Sequence, residues 1–222
     1  MRVHLLLFSL ICCRVYGAIL SMDMCSDLWV LDHYPEEQIV ALTYLSQEPK
    51  SLAHHHGTTE EILRANPSLV ISEFPLSSKQ SYYLKKHNIP LKTLPPLDRL
   101  EDLYKRFPNT RGLNIPPIGL GKKALILTQG LHTPGKETFW GDVLEALGFM
   151  NLSANAGIIQ WGYLSSEKIL ALKPDLIIVF GEDTSLPPSL RSFPIKQISA
   201  KDYLCPSPQG IQKIVESLQC VK

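Results

Sequence analysis

Apolar residues in this chain gather in short runs, not in long spans. Residues 18–22, 38–43 (QIVALT), 69–72, 89–94, 124–128 (ALILT), 176–180 and 194–199 are rich in them and bounded by polar or Gly/Pro segments. Runs of this length read as strands, the more continuous ones as strands buried on both faces. Between them lie segments with helical spacing. Residues 77–87 look helical, 97–107 align Leu100, Leu103 and Phe107, and 137–147 turn Phe139, Val143, Leu144 and Leu147 inward. Residues 209–219 place Ile211, Ile214, Val215 and Leu218 on one stripe. A polar turn at 23–27 (DMCSD) leads into a helix reaching about Asp32, with Ser26 as its expected cap. Residues 44–57 and 151–163 read as loops, and the stretch from 129 through Gly135 as a turn. Strands alternating with helices imply parallel pairing through crossovers.

One unit occurs twice. Residues 58–72 (TTEEILRANPSLVIS) and 165–179 (SSEKILALKPDLIIV) match at a constant offset of 107 residues. The hydroxyl pairs correspond, then Glu60 with Glu167, Ile62 with Ile169, Leu63 with Leu170, Pro67 with Pro174, Leu69 with Leu176 and Ile71 with Ile178. A hydroxyl followed by carboxylates starts a helix, because both satisfy the electropositive N–H groups there. Thr58 with Glu61 fits a capping box. Proline, lacking an N–H, stops the helix, and an inner strand follows. Two copies predict two similar lobes, each a small, mainly parallel sheet flanked by helices, with a cleft between them. Residues 18–96 form the first and 122–222 the second. The connector, 97–121, is short and partly helical, since Pro108, Gly112, Pro116, Pro117, Gly119 and Gly121 exclude a long helix.

Composition adds limits. With 222 residues and 45% hydrophobic content, a substantial core can form. A formal charge of +1 gives no charge-driven case for nucleic acid. No apolar run approaches the ~18 residues needed to span a bilayer. Arg2 and His4, the apolar core 5–13 (LLLFSLICC), and small residues before Ala18 read as a signal peptide over 1–17. Export permits disulfides among Cys25, Cys205 and Cys220. A Cys205–Cys220 bond is disfavoured, because the intervening helix is about 16 Å long and bridged Cα atoms approach within about 7 Å. Cys25 with Cys205 or with Cys220 requires the two lobes to meet.

Candidate chemistry is sparse. GxSxG, HExxH and a glycine-rich phosphate loop are absent from the sequence, so no enzyme class is indicated. A Cys25 nucleophile with one of His54–His56 is the residual catalytic option. His54, His55, His56 and His132, with Cys25 and Cys205, offer a set for a metal ion, although adjacent histidines in an extended segment cannot all face one centre. Their plain alternative is a solvated polar loop.

The order of these features resembles the periplasmic binding proteins of ABC importers for cobalamin, haem and iron–siderophores. ILSMDMCSD…QIVALTYLSQEP is similar to that family's opening, and GKETFWGDVLEALGFMNL…WGYLSSEKILALKPDLIIV to its second lobe. The likeness covers nearly all of 18–220. It implies a monomer without intrinsic cofactor that takes a metal chelate between its lobes and hands it to a permease in the inner membrane. Ligand would meet loops at 22–26, 51–57, 131–135, 158–162 and 202–206. On those loops stand Cys25, His54, His55, His56, His132, Trp161, Tyr203 and Cys205, with Trp161 and Tyr203 as flat surfaces for a macrocycle or aromatic chelate. Glu60 and Glu167 would dock on permease arginines, beside their role at the helix starts. One departure stands out: the family's long stiff helix between lobes is largely missing here. The alternative function is an exported metal-ion-binding protein that uses the His/Cys set without transport.

Overall fold

Successive side chains of a strand point to opposite faces, and in this chain the two faces have different destinations. In Ile19–Leu20, Val70–Ile71, Ala124–Leu127 and Leu176–Phe180, one alternate set enters a core common to both halves. The other set enters a local core on the outer face of its own sheet. The computed structural model describes residues 17–219 apart from 47, 48, 109, 111, 112 and 183. The expected signal peptide lies outside the described residues except for Gly17, as does Cys220.

The N-terminal half runs β1 (Ile19–Ser21), α1 (Met24–His33), β2 (Ile39–Thr43), β3 (Ala53–His55), α2 (Thr59–Ala65), β4 (Leu69–Ser72), α3 (Ser78–Lys86) and β5 (Leu91–Thr93). Its five strands are parallel in the order β3-β2-β1-β4-β5. The short helix α4 (Leu100–Arg106) follows. The C-terminal half contains β6 (Lys123–Leu127), β7 (His132–Pro134), α5 (Phe139–Ala146), β8 (Met150–Asn151), α6 (Leu152–Asn155), β9 (Trp161–Tyr163), α7 (Ser166–Leu172), β10 (Leu176–Phe180), β11 (Ile195–Ile198), α8 (Ala200–Leu204) and α9 (Pro208–Gln219). Four of its strands form a parallel sheet, β11-β10-β6-β8, while β7 and β9 pair antiparallel beside it. No described helix is long and apolar enough to cross a membrane.

The two copies of the repeat occupy separate sheets, each feeding a strand next to the first strand of its half. Thr58 and Glu61 close the expected capping box: Glu61 N–H donates to Thr58 Oγ1 at 3.2 Å and Thr58 N–H to Glu61 Oε2 at 3.1 Å. The second copy keeps half of it, since Lys168 stands where Glu61 would be and only donates its N–H to Ser165 Oγ, at 3.3 Å. Both helices end on a left-handed residue, Asn66 (φ 47°) and Lys173 (φ 50°), immediately before the prolines. At α1 the cap is Asp23, not Ser26: Asp23 Oδ1 accepts the Ser26 N–H at 2.8 Å, and Ser26 Oγ reciprocates by accepting the Asp23 N–H.

The structure adds β3, β7, β8, β9, α6 and α8 to the expected elements. Each is five residues or fewer. β3 (AHH) is an edge strand with two of its three residues exposed, so it carries no apolar signature. β7 and β9 owe their pairing to partners about 30 positions apart, which local patterning does not display.

The halves are tied in three ways. Their inner faces share one apolar core, with Trp29 and Val30 of α1, Leu103 of α4, Val143 and Leu144 of α5, and Ile211 and Ile214 of α9. The helix α4 is braced at both ends: Arg106 makes paired hydrogen bonds to Glu73 at 3.0 and 3.1 Å, and Arg99 does the same to Asp142 at 2.8 and 2.6 Å. Arg106 also donates to the Pro95 carbonyl, and its own carbonyl accepts the Trp29 indole N–H at 3.1 Å. Finally, Cys25 of α1 is bonded to Cys205 just after α8, with Cα atoms 4.9 Å apart and 180 positions between them. Of the two pairings left open by the sequence, the structure contains the one with Cys205.

A cross-link closing so long a loop restricts the unfolded chain strongly. Replacing both cysteines by serine is expected to lower the unfolding free energy by about 2–5 kcal/mol. Denaturant melts of that variant should match those of the wild type under reducing conditions.

Candidate functional site

The cavity of interest is built from the start of α5. Thr138 caps that helix, accepting the Gly141 N–H at 3.0 Å while donating its hydroxyl to the Gly135 carbonyl at 2.9 Å. The preceding segment is held against residues 158–160 by three backbone bonds. Gly135 N–H donates to Gln160 O at 2.7 Å, Lys136 N–H to Ile158 O at 3.0 Å, and Glu137 N–H to Ile159 O at 2.7 Å. Only glycine fits at 135, because a Cβ there would lie 2.4 Å from the carbonyl oxygens of Ile158 and Gln160. This clamp fixes Gln160 and Trp161 beside Glu137 and Trp140.

Opposite stand Glu73 and Phe74, which follow the carboxyl end of β4, and residues 96–99 ahead of α4. Tyr203, Leu204 and Pro206 close the end. The space enclosed is about 640 Å³ and has walls from both halves. Its aromatic floor is continuous: Tyr203 stacks on Phe180 with centroids 4.4 Å apart, and Trp140 and Trp161 lie 5.7 and 6.3 Å from the Tyr203 ring. A smaller hollow of about 370 Å³ shares Tyr203 and Leu204 with it.

Its charges are partly spent. Glu73 is bound by Arg106, and Arg99 by Asp142. The Asp142 carboxylate, by its hydrogen bonds and its charge, raises the Arg99 pKa further. Burial pushes the Tyr203 phenol up, so it stays protonated at neutral pH.

Of the residues proposed from sequence, Trp161 and Tyr203 line this cavity. The histidines do not, and they are not gathered. His55 is buried with both ring nitrogens engaged, Nε2 with the Ser21 carbonyl at 2.7 Å and Nδ1 accepting the Gly57 N–H at 2.9 Å. His54 is exposed on the edge strand, His56 stacks on Tyr44 with centroids 4.7 Å apart, and His132 meets the edge of Tyr163. Cys205 sits between the lining residues Leu204 and Pro206, but its sulfur and that of Cys25 are joined. Neither offers a thiolate, as metal ligand or as nucleophile. Among the described residues, the one group of three ligand-type side chains with ligand atoms within 4.8 Å is Asp23, Cys25 and Glu73, and it includes that bonded sulfur.

Glu60 and Glu167 are both exposed at the second position of their helices. Each is held below the usual carboxylate range, chiefly by its own backbone N–H at the helix start. They differ in that Lys79 lies 3.3 Å from Glu60. Glu73, Phe74, residues 96–99 and residues 137–140 were missed by sequence reasoning. The rule that ligands gather beyond the carboxyl ends of parallel strands flags 73–74 after β4; the rest depend on how α4 and α5 pack.

No protein-family model matches this chain, and no curated protein matches it in sequence. Solved structures do match in three dimensions, and three of them each cover 91% of this chain. One is the periplasmic heme binding protein HutB of Vibrio cholerae (TM-score 0.72, 19% identity, 99% of that chain covered). A possible iron-binding, periplasmic solute-binding protein from Staphylococcus epidermidis gives 0.69, 16% and 98%. The periplasmic vitamin B12 binding protein BtuF of Vibrio cholerae gives 0.63, 13% and 96%.

Asp27 yields a prediction at the edge of this architecture. It is buried, accepts hydrogen bonds from Ser21 Oγ and from Thr43 N and Oγ1, and so joins α1 to β1 and β2. Desolvation nevertheless raises its pKa. A folded-state value above the unfolded one gives stability that is complete in acid and is lost as pH rises through the folded value. Asp27→Asn, measured against wild type by denaturant melts, should therefore gain relative stability as pH rises above the ordinary carboxylate value of about 4; a constant difference would refute this assignment.

The chain thus has the two-lobed α/β fold of the periplasmic solute-binding proteins represented by these three structures.

Proposed function

We propose that this chain is an exported solute-binding protein that captures a metal chelate (cobalamin, haem or ferric siderophore) between its lobes and delivers it to an ABC importer permease. The observation that carries this reading is the cavity of about 640 Å³ walled by both halves and floored by Trp161, Tyr203 and Trp140. Pockets of roughly 300–1,000 Å³ with aromatic walls and a few placed polar groups are typical small-molecule sites. The fold is shared with proteins named for binding heme and vitamin B12. In this reading, residues 18–96 and 122–222 are the lobes, 97–121 the connector, and 1–17 directs export to the periplasm. A disulfide between Cys25 and Cys205 suits that oxidising compartment. The protein acts as a monomeric carrier, not a catalyst.

Trp161 and Tyr203 present faces to the ligand, and Glu60 and Glu167 dock on the permease. Support for the docking role is that the repeat places both carboxylates equivalently, exposed and ionised, one on each half. Exposed pairs of this kind set register and association rate more than affinity.

Thermal melts with aquocobalamin, haemin and ferric siderophores test the capture step, because a ligand of the folded state alone stabilises it by about 2.7 kcal/mol at a hundredfold excess over Kd. At least one chelate is expected to raise the midpoint, and Trp161→Ala or Tyr203→Ala to weaken its binding roughly two- to tenfold. If no chelate shifts the midpoint, the reading fails. For the docking step, Glu60→Ala with Glu167→Ala should leave chelate affinity unchanged and slow uptake by the host importer. Unaltered uptake would remove the docking role.

A further inference from the structure

The lining of the cavity is unevenly charged. It contains three carboxylates, Glu73, Asp98 and Glu137, and one cation, Arg99. Arg99 is already matched by Asp142 and Glu73 by Arg106, which leaves Asp98 and Glu137. Neither carboxylate has a hydrogen-bond or ion-pair partner among the described residues, although Glu137 lies near enough to Arg99 to raise its pKa. Both are exposed at the rim. The floor supplies donors instead. Trp140 is 4% exposed, yet its indole N–H, like that of Trp161 and the hydroxyl of Tyr203, meets no acceptor among the described residues. The lining thus offers a guest two carboxylates without a partner and three neutral donors without an acceptor among the described residues. The guest meets no unpaired guanidinium or ammonium in the lining.

Resting on the chelate-binding reading above, we infer that the cleft selects neutral or cationic chelates whose periphery carries N–H donors, such as amides or ammonium groups, and rejects chelates bearing free carboxylates or net negative charge. An amide edge satisfies both halves of the lining: its N–H groups meet Asp98 and Glu137, and its carbonyls meet the indole and phenol donors. A carboxylate edge meets like charge at the rim, an arrangement that discriminates against wrong partners.

Two matched pairs of probes test this by melting shift and tryptophan quenching. The first is iron protoporphyrin IX with free propionates against its bis-amide. The second is the cationic ferric trihydroxamate ferrioxamine B against the anionic ferric tris-catecholate of enterobactin. In whichever pair binds, the less negative member is expected to bind at least tenfold more tightly. That preference should shrink as salt is raised and fall to within about twofold in the Asp98→Asn, Glu137→Gln double variant, whose sites are exposed and whose folding is checked by its own melt. Equal or tighter binding of the negative member overturns the inference while leaving the carrier reading standing, as does a preference unchanged in the double variant. If no member of either pair, nor aquocobalamin, binds, the carrier reading itself falls and this inference with it.

Discussion

The architecture depends on one constraint: two sheets that each bury both faces must share their inner faces. Strands with apolar side chains on both sides cannot leave either side in water. The outer faces are covered locally, by α2 and α3 on one half and by α6 and α7 on the other. The inner faces have α1, α4, α5 and α9 between them, and these helices complete one core. The braces at Arg106–Glu73 and Arg99–Asp142 set where along that core α4 lies. Arg106 is the costlier of the two, because a charged side chain at 3% exposure is tolerable only with its partners in place. Even so, its Nε has no acceptor among the described residues.

The cavity follows from that arrangement. Where the helices fill the space between sheets, there is core; where α5 begins and the chain turns at 96–99, there is a gap. The same two ion pairs that hold α4 also neutralise Glu73 and Arg99 on the cavity wall. Its remaining character comes from aromatic faces and from two unshared carboxylates. An aromatic floor anchored by stacking among Phe180, Tyr203 and Trp140 needs little rearrangement to receive a flat guest.

Much of the fold was legible because the strongest signals are local. β4 and β10 begin and end where the repeated unit places them, since proline, a left-handed cap and a short apolar run define both ends within a few residues. Helices with clear apolar stripes, α5 and α9, were equally visible. What escaped was nonlocal or too short. The β7–β9 ladder joins segments whose composition marks them as turn and loop. At the site, Trp161 and Tyr203 were visible as large aromatics on loops, and Glu73 and Phe74 follow the predictable end of β4, but residues 96–99 reach the opposing wall through the docking of α4, which no sequence pattern encodes. The histidine run illustrates the converse. It is conspicuous in sequence, yet the edge strand β3 sends one imidazole inward to hydrogen-bond Ser21 and Gly57 and leaves its neighbours on the surface.

For the proposed carrier role, the bond between Cys25 and Cys205 bears on how a guest would enter and leave. It fastens the two walls at one margin of the opening, next to Leu204 and Pro206, while the common core fastens them behind. The two attachments oppose a wide swing of one half about the other, and in the proposed carrier role exchange would run through the unfastened margin and through small displacements of rim side chains. Side-chain displacements of that kind take about picoseconds to nanoseconds, where whole-domain hinging takes about microseconds to milliseconds. Under the proposed role, walls already ordered by a covalent stitch would forfeit little motional freedom on taking up a guest.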